Sequence, residues 1–212
     1  MEPYVRSGIR WSMVFGLLAI VDYFMIAALP IPDRLVVVMA SLFGPLLLVG
    51  SFALYRMISI HSRSFAAELA MVFNSLAAAL VTAMLLVQMA IHTTADKLSQ
   101  PLDRNLLREF DSIQLALDVG WDVFISIGTL AFAVAMIKHP RFGKWFAVPG
   151  VLLSAGLLVL NLATFPTPPA SAGLIDLGPF VGFWYAACSI RGILSLRWLE
   201  RQSSPSMSSA SA

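Results

Sequence analysis

Three aspartates lie inside apolar stretches of the chain, where a carboxylate is costly. Asp118 and Asp122 are four residues apart in a stretch that carries no further charge until Lys138, and Asp22 interrupts the first apolar stretch. A carboxylate within a hydrocarbon span is stable only where it faces protein or water, so each of these residues is a candidate for binding a proton or a cation.

The composition defines the environment of these aspartates. Hydrophobic residues make up 58% of the 212 residues, charged residues only 12%, and the mean hydropathy is +0.82. These values are typical of a polytopic membrane protein and exclude an ordinary soluble domain. A helix that crosses the hydrocarbon core of a membrane needs about 20 residues at about 1.5 Å each. A helix suits this environment because its backbone N–H and C=O groups hydrogen-bond to each other.

Six segments meet this length, which predicts an all-α fold. We expect one six-helix transmembrane domain over residues 1–201 and a disordered cytoplasmic tail over 202–212, where serine and alanine dominate. The predicted spans are Trp11–Ile31, Leu35–Tyr55, Ala67–Ile91, Ala116–Ile137, Trp145–Phe165 and Leu177–Leu196.

The lysines and arginines predict the orientation. Of the fourteen, ten fall at the ends on the side of the amino terminus and four on the other side. Because cytoplasmic ends keep basic residues, we expect a plasma (inner) membrane protein with both termini cytoplasmic. The small net charge of +2 reflects this bias, and nothing indicates nucleic-acid binding. A cleaved signal peptide is the alternative for the first span, but its apolar run is longer than a usual signal core.

An amphipathic pattern separates spans three and four. Apolar residues recur at three- and four-residue spacing between Pro101 and Leu117, with charged residues at the other positions. This predicts an external amphipathic helix, either flat on the outer membrane surface or folded over the mouth of the bundle as a lid.

The spans bring further polar residues to the outer half. The fourth has a polar stripe at helical spacing that should face the bundle interior: Asp111, Gln114, Asp118, Asp122, Ser126 and Thr129. Candidate residues for binding a ligand or a proton are Asp22, Asp122, Asp118, Gln88, Asn161 and His92. Carboxylates this close disfavour simultaneous ionisation, so we expect one to keep its proton at neutral pH. Asp22 with Asp122 is the preferred pair, and Asp176 is expected to cap the sixth helix.

Signatures of familiar membrane enzymes are missing from the sequence. The three histidines lie in or beside different loops without helical pairing, so the sequence supplies no ligand set for zinc or haem. The metal content stays unknown, no cofactor is expected, and the single Cys188 allows no internal disulfide. Intramembrane hydrolysis by an aspartate pair is the one enzymatic alternative left open. On balance the sequence favours a protein that is not an enzyme, and we predict no catalytic residue.

Helix breakers and small residues add two weaker indications. Gly44 with Pro45 and Pro149 with Gly150 should interrupt spans two and five. Broken helices at matching positions would suit an inverted three-plus-three repeat that aligns Asp22 with Asp122. Small residues such as Gly150 and Ser154 permit close packing within one chain or in a homo-oligomer.

Three stretches of the second half carry a family resemblance: LDVGWDVFISIGTL (117–130), HPRFGK (139–144) and NLATFPTPP (161–169). They resemble an uncharacterised group of small bacterial six-helix membrane proteins, known only as a domain of unknown function. The resemblance implies a bacterial inner-membrane protein and brings no activity to carry over.

The preferred function is a small transporter or channel component with a proton- or cation-binding carboxylate site in the outer half of the bundle. The alternative is a non-enzymatic assembly, sensor or lipid-organising protein whose aspartates only hold helices together. The expected partners are the lipid bilayer and a proton, cation or small-molecule ligand.

Overall fold

Seven helices account for nearly all residues that the computed structural model describes, which are 2–97, 104–163, 165 and 175–203. They are α1 (Pro3–Ala28), α2 (Asp33–His61), α3 (Phe65–Lys97), α4 (Arg104–Met136), α5 (Gly143–Leu162), α6 (Gly178–Leu194) and α7 (Leu196–Ser203). The described part contains no strand, which confirms the all-α prediction.

Five of these helices, α1 to α5, are long and apolar enough to cross a membrane. By length and composition, the chain therefore fits a helical membrane protein. The sixth predicted span corresponds to α6, which has only 17 residues before the chain turns at Ser195 into the short α7. Residues 202 and 203, predicted as part of the tail, belong to α7, and residues 204–212 lie outside the described part.

Proline and glycine set the helix ends as expected for membrane helices. Pro3 and Pro179 lie in the first turns of α1 and α6, where a missing N–H costs nothing. Gly143, the first residue of α5, has a φ of 59°, which a residue without Cβ adopts freely. Pro45 and Pro149 lie inside α2 and α5 without ending them, so the predicted interruptions are wrong. Interior proline is tolerated in membrane helices where neighbouring groups bond the freed carbonyl.

The external amphipathic helix is not a separate element in the described residues. Its described part, from Arg104 onward, forms the first turns of the continuous 33-residue α4, and residues 101–103 lie outside the described part. The apolar positions of the segment continue the pattern of the span without a break, so one long helix satisfies both.

Consecutive helices pack side by side, and α6 closes the bundle against α1, α5 and α2. Helices α1 and α2 approach each other closely at two glycines, where a Cβ built on Gly16 would lie 2.9 Å from the Gly50 Cα. Gly150 meets Ala133 and the Trp184 ring, so this small-residue position is used for packing within the chain.

Candidate functional site

A cavity of about 250 Å³ lies between the helices that carry most of the predicted site residues. Helices α1 to α4 form its walls, and Asp176, two residues before α6 begins, completes the lining. Its polar lining consists of Tyr23, Gln88, Asp118, Trp121, Asp122 and Asp176. Its apolar lining consists of Ile26, Ala27, Phe43, Val81, Met84 and Leu85.

Asp122 is the most deeply buried carboxylate of the cavity, with 3% of its surface exposed. The Asn161 side-chain amide, from α5, donates a hydrogen bond to Asp122 Oδ2. The other oxygen, Oδ1, is buried and has no hydrogen-bond partner in the described structure. A buried carboxylate oxygen without a partner is destabilising, and protonation of the carboxyl group or a bound cation would remove the cost of its charge. Asp122 thus lines the cavity with a carboxyl group of which only one oxygen has a hydrogen-bond partner.

The other polar lining residues are more accessible. Asp118 and Gln88 are half-buried, and Asp176 is exposed. Asp176 Oδ1 accepts a hydrogen bond of 2.8 Å from the N–H of Gly178, the first residue of α6. The N-cap position itself is Leu177, one residue later than predicted, and it makes no side-chain capping bond. The three carboxylates of the cavity therefore differ in accessibility: Asp176 is exposed, Asp118 is half-buried and Asp122 is buried.

Aromatic rings form a second part of the wall. The rings of Tyr23 and Phe43 lie with centroids 5.8 Å apart, and both residues line the cavity with Trp121. The indole Nε1 of Trp121 is buried and has no hydrogen-bond partner among the described residues. Aromatic faces attract cations through their quadrupole, so the rings and carboxylates favour the same charge on a ligand.

Among the described residues, no lysine, arginine or histidine lines the cavity, so these residues offer its carboxylates no cationic partner there. Within the described part of the chain, no three His, Cys, Asp or Glu side chains converge as they would around a metal ion. The three carboxylates therefore share a cavity without sharing one coordination point.

Of the predicted site residues, the structure brings Asp118, Asp122 and Gln88 to the cavity, with Asn161 behind Asp122. Asp22 is 9% exposed and its Oδ2 has no partner in the described structure, but it does not line the cavity. His92 belongs to α3, and its side chain lies outside the described part.

A buried polar chain that the sequence did not reveal links three helices. Tyr185 of α6 donates its hydroxyl proton to Asn74 Oδ1 of α3 at 2.7 Å, and Thr129 of α4 donates to the Tyr185 oxygen at 3.1 Å. The Asn74 amide donates to the Ala70 carbonyl at 2.8 Å. Because every member has a partner, this chain stabilises the packing and needs no ligand.

Two histidines predicted to be unrelated meet near the carboxyl end of α4: His61 ends α2, and His139 lies in the turn after α4. The rings of His61 and His139 are nearly perpendicular, with centroids 5.1 Å apart. His139 is buried, and its Nδ1 accepts the Arg141 backbone N–H at 3.2 Å. Burial, reinforced by His61, lowers the pKa of His139 to about 4, although the Met57 backbone opposes the shift. His139 is therefore neutral at pH 7.

Comparisons with known proteins add no family to these observations. No protein-family model, curated protein or solved structure matches the chain significantly. The resemblance of the second half to small bacterial six-helix proteins stays a prediction. The described residues thus form an all-helical fold with five helices that could cross a membrane and a cavity lined by carboxylates and aromatic rings.

Proposed function

We propose that the protein is a small transporter or channel component whose carboxylate cavity binds a cation. The observation that carries the proposal is that Asp122 lines the cavity while its buried Oδ1 has no hydrogen-bond partner in the described structure. Intramembrane carboxylates that face a cavity mark ion or proton pathways. Because no cationic side chain of the described residues lines the cavity, a bound cation or proton is the natural partner of this group.

A six-crossing topology accompanies this proposal. Seventeen residues of α6 extend about 26 Å at the helical rise, close to the hydrocarbon thickness of about 30 Å. An even number of crossings puts both termini on one side, and the basic bias favours the cytoplasm of a bacterial cell, hence its inner membrane. The cavity then lies near the outer end of the bundle, and the first turns of α4 project outside.

The lining favours an organic ammonium ion over a metal ion. A hard metal ion needs several oxygen ligands around one point, and the described residues provide no such cluster. An ammonium group bearing alkyl substituents would instead use the rings of Tyr23, Phe43 and Trp121 together with a carboxylate. A proton is the smallest cation that the same carboxylates can carry.

The test is uptake into proteoliposomes of the purified protein. Tetramethylammonium is the organic probe, Na⁺ and Mg²⁺ are metal probes, and a lumenal dye reports protons. Asp122→Asn removes the charge at nearly constant side-chain volume. It should lower uptake or binding about 30-fold or more, because the bound cation would lose its charged partner in a site shielded from water. Asp111→Asn, an exposed position on the same helix, is the matched control and should change nothing.

Two outcomes would refute the proposal. One is a correctly folded Asp122→Asn protein that transports and binds every probe like the wild type. The other is equal loss in the Asp111→Asn control, which would indicate a non-specific charge effect. Asp22→Asn is expected to retain binding, because Asp22 does not line the cavity.

A structural role for the aspartates is the second candidate, and the Asp122–Asn161 hydrogen bond favours it. Buried polar pairs join membrane helices at about 1 kcal/mol each. In this case Asp122→Asn and Asn161→Leu would lower thermal stability similarly, and no probe would be transported by any form of the protein. Such a protein would serve assembly, sensing or lipid organisation.

A further inference from the structure

A second cavity, of about 440 Å³, lies at the carboxyl end of α4, whereas the carboxylate cavity lies beside the middle of that helix. The end of α2, the loop to α3 and the end of α4 with its following turn enclose it. It is lined by Ile58, His61, Ser62, Arg63, Ser64, Val134, Ala135, Ile137, Lys138 and His139.

The polar lining of this cavity is suited to an anion. Arg63 and Lys138 supply two positive charges, Ser62 and Ser64 supply hydroxyl groups, and no Asp or Glu of the described residues lines it. The ion pair described at this end of the bundle joins Arg6 to Glu200 at 2.8 Å and involves neither cavity cation. Guanidinium, ammonium and hydroxyl groups are the usual partners of phosphate oxygens.

The apolar lining indicates that the anion carries a hydrophobic part. Val134 and Ile137 are 47% and 42% exposed at and just after the end of α4, a helix that is long and apolar enough to cross a membrane. Ile58 is buried and closes the cavity from inside. A ligand with its charge at Arg63 and its hydrocarbon along α4 would match both surfaces.

The wall behind these residues is held firmly. The Trp198 ring lies 5.7 Å from His61 and 5.4 Å from His139 between ring centroids, and the Arg141 guanidinium stacks 5.2 Å from the Trp198 centroid. Arg191 donates to the Arg141 carbonyl at 2.8 Å and ties the turn to α6. A wall fixed in this way loses little entropy when a ligand binds.

We propose that this cavity binds the phosphate headgroup of an anionic glycerophospholipid. Arg63 and Lys138 contact the phosphate, and one acyl chain lies along Val134 and Ile137. The site is independent of the carboxylate cavity and of any transport through it. Basic pockets at the cytoplasmic ends of membrane helices recognise such headgroups by the same chemistry.

The experiment measures lipid binding to the full chain in detergent by native mass spectrometry and by thermal shift. The probes are phosphatidylglycerol, phosphatidylcholine as the zwitterionic lipid, and inorganic phosphate as the anion without chains. Lys138→Gln and Arg63→Gln should each weaken phosphatidylglycerol binding about fivefold, and the double variant about 25-fold. The fivefold change is about what the attraction between one basic side chain and an anionic lipid surface contributes to the affinity. Lys144→Gln, an exposed lysine of the same end that does not line the cavity, should change binding less than twofold.

The double variant Val134→Ser with Ile137→Ser tests the contact with the acyl chain separately. It should weaken the binding of phosphatidylglycerol but leave the binding of inorganic phosphate unchanged. Three results would overturn the proposal: equal affinity for phosphatidylcholine, the same loss in Lys144→Gln, or inorganic phosphate bound as tightly as the lipid. All altered side chains are exposed, so folding should persist, and unchanged circular dichroism verifies it.

Discussion

Replacing Gly50 by alanine should destabilise the bundle by forcing α1 and α2 apart. A Cβ at Gly50 would lie 2.5 Å from the Gly16 Cα of the neighbouring helix, and the contacted atom is backbone. Carbon atoms pack at about 3.5–4 Å, so the two helices would have to separate by roughly 1 Å. No side-chain rotation can relieve this contact.

The magnitude follows from the cost of overpacking. Adding a methyl group to a well-packed contact costs about 1–3 kcal/mol, and a backbone contact should approach the upper value. For a chain of this size roughly 2–4 °C of Tm is lost per kcal/mol, so Gly50→Ala should melt roughly 6–12 °C lower. Intrinsic fluorescence or dye-based thermal unfolding in one detergent measures the difference.

Gly182→Ala is the matched control inside the bundle. A Cβ there would lie 3.7 Å from Ile20 Cδ1, which is ordinary contact. Its Tm should equal or slightly exceed that of the wild type, because alanine restricts the unfolded chain more than glycine. A Gly50→Ala protein that melts with or above Gly182→Ala would refute the close helix contact.

Two further predictions concern buried polar groups. Tyr185→Phe leaves Asn74 Oδ1 without its 2.7 Å donor and should lower the free energy of unfolding by about 1–3 kcal/mol. Tyr4→Phe, at an exposed position, is the control and should leave the Tm unchanged. Equal Tm values for the two variants would disprove the polar chain. The pKa of His139 is lowered from 6.5 to about 4, so the unfolded chain binds the proton more tightly and stability falls as pH drops from 6.5 toward 4. His139→Gln should flatten this part of the Tm–pH profile relative to the wild type, and parallel profiles would contradict the buried neutral ring.

The sequence predicted helices and faces well, because both follow from local spacing. The stripe on α4 is a clear case: Asp122, Ser126 and Thr129 are buried as expected, whereas Asp111, outside the predicted span, is exposed. The bond from the Gly178 N–H to Asp176 is equally local, although the N-cap of α6 is Leu177 and not Asp176 as predicted.

Contacts between distant helices could not be predicted in the same way. Tyr185 and Asn74 meet across 111 residues of sequence, and spacing along the chain does not say which helices become neighbours. The same applies to His61 and His139, whose loops meet only after the bundle has formed. Asp22 and Asp122 were both predicted for the outer half of the bundle, but position along a helix does not fix the direction of a side chain around it.

The continuity of α4 fixes the distance between the two cavities. Asp122 lines one cavity and Ala135 lines the other, thirteen residues further along a helix that no proline interrupts, which is about 20 Å at the helical rise. Gly128 lies between them and packs against Asn74 of α3, where a Cβ would collide with the amide. A ligand in one cavity would therefore lie too far from a ligand in the other for the two to touch.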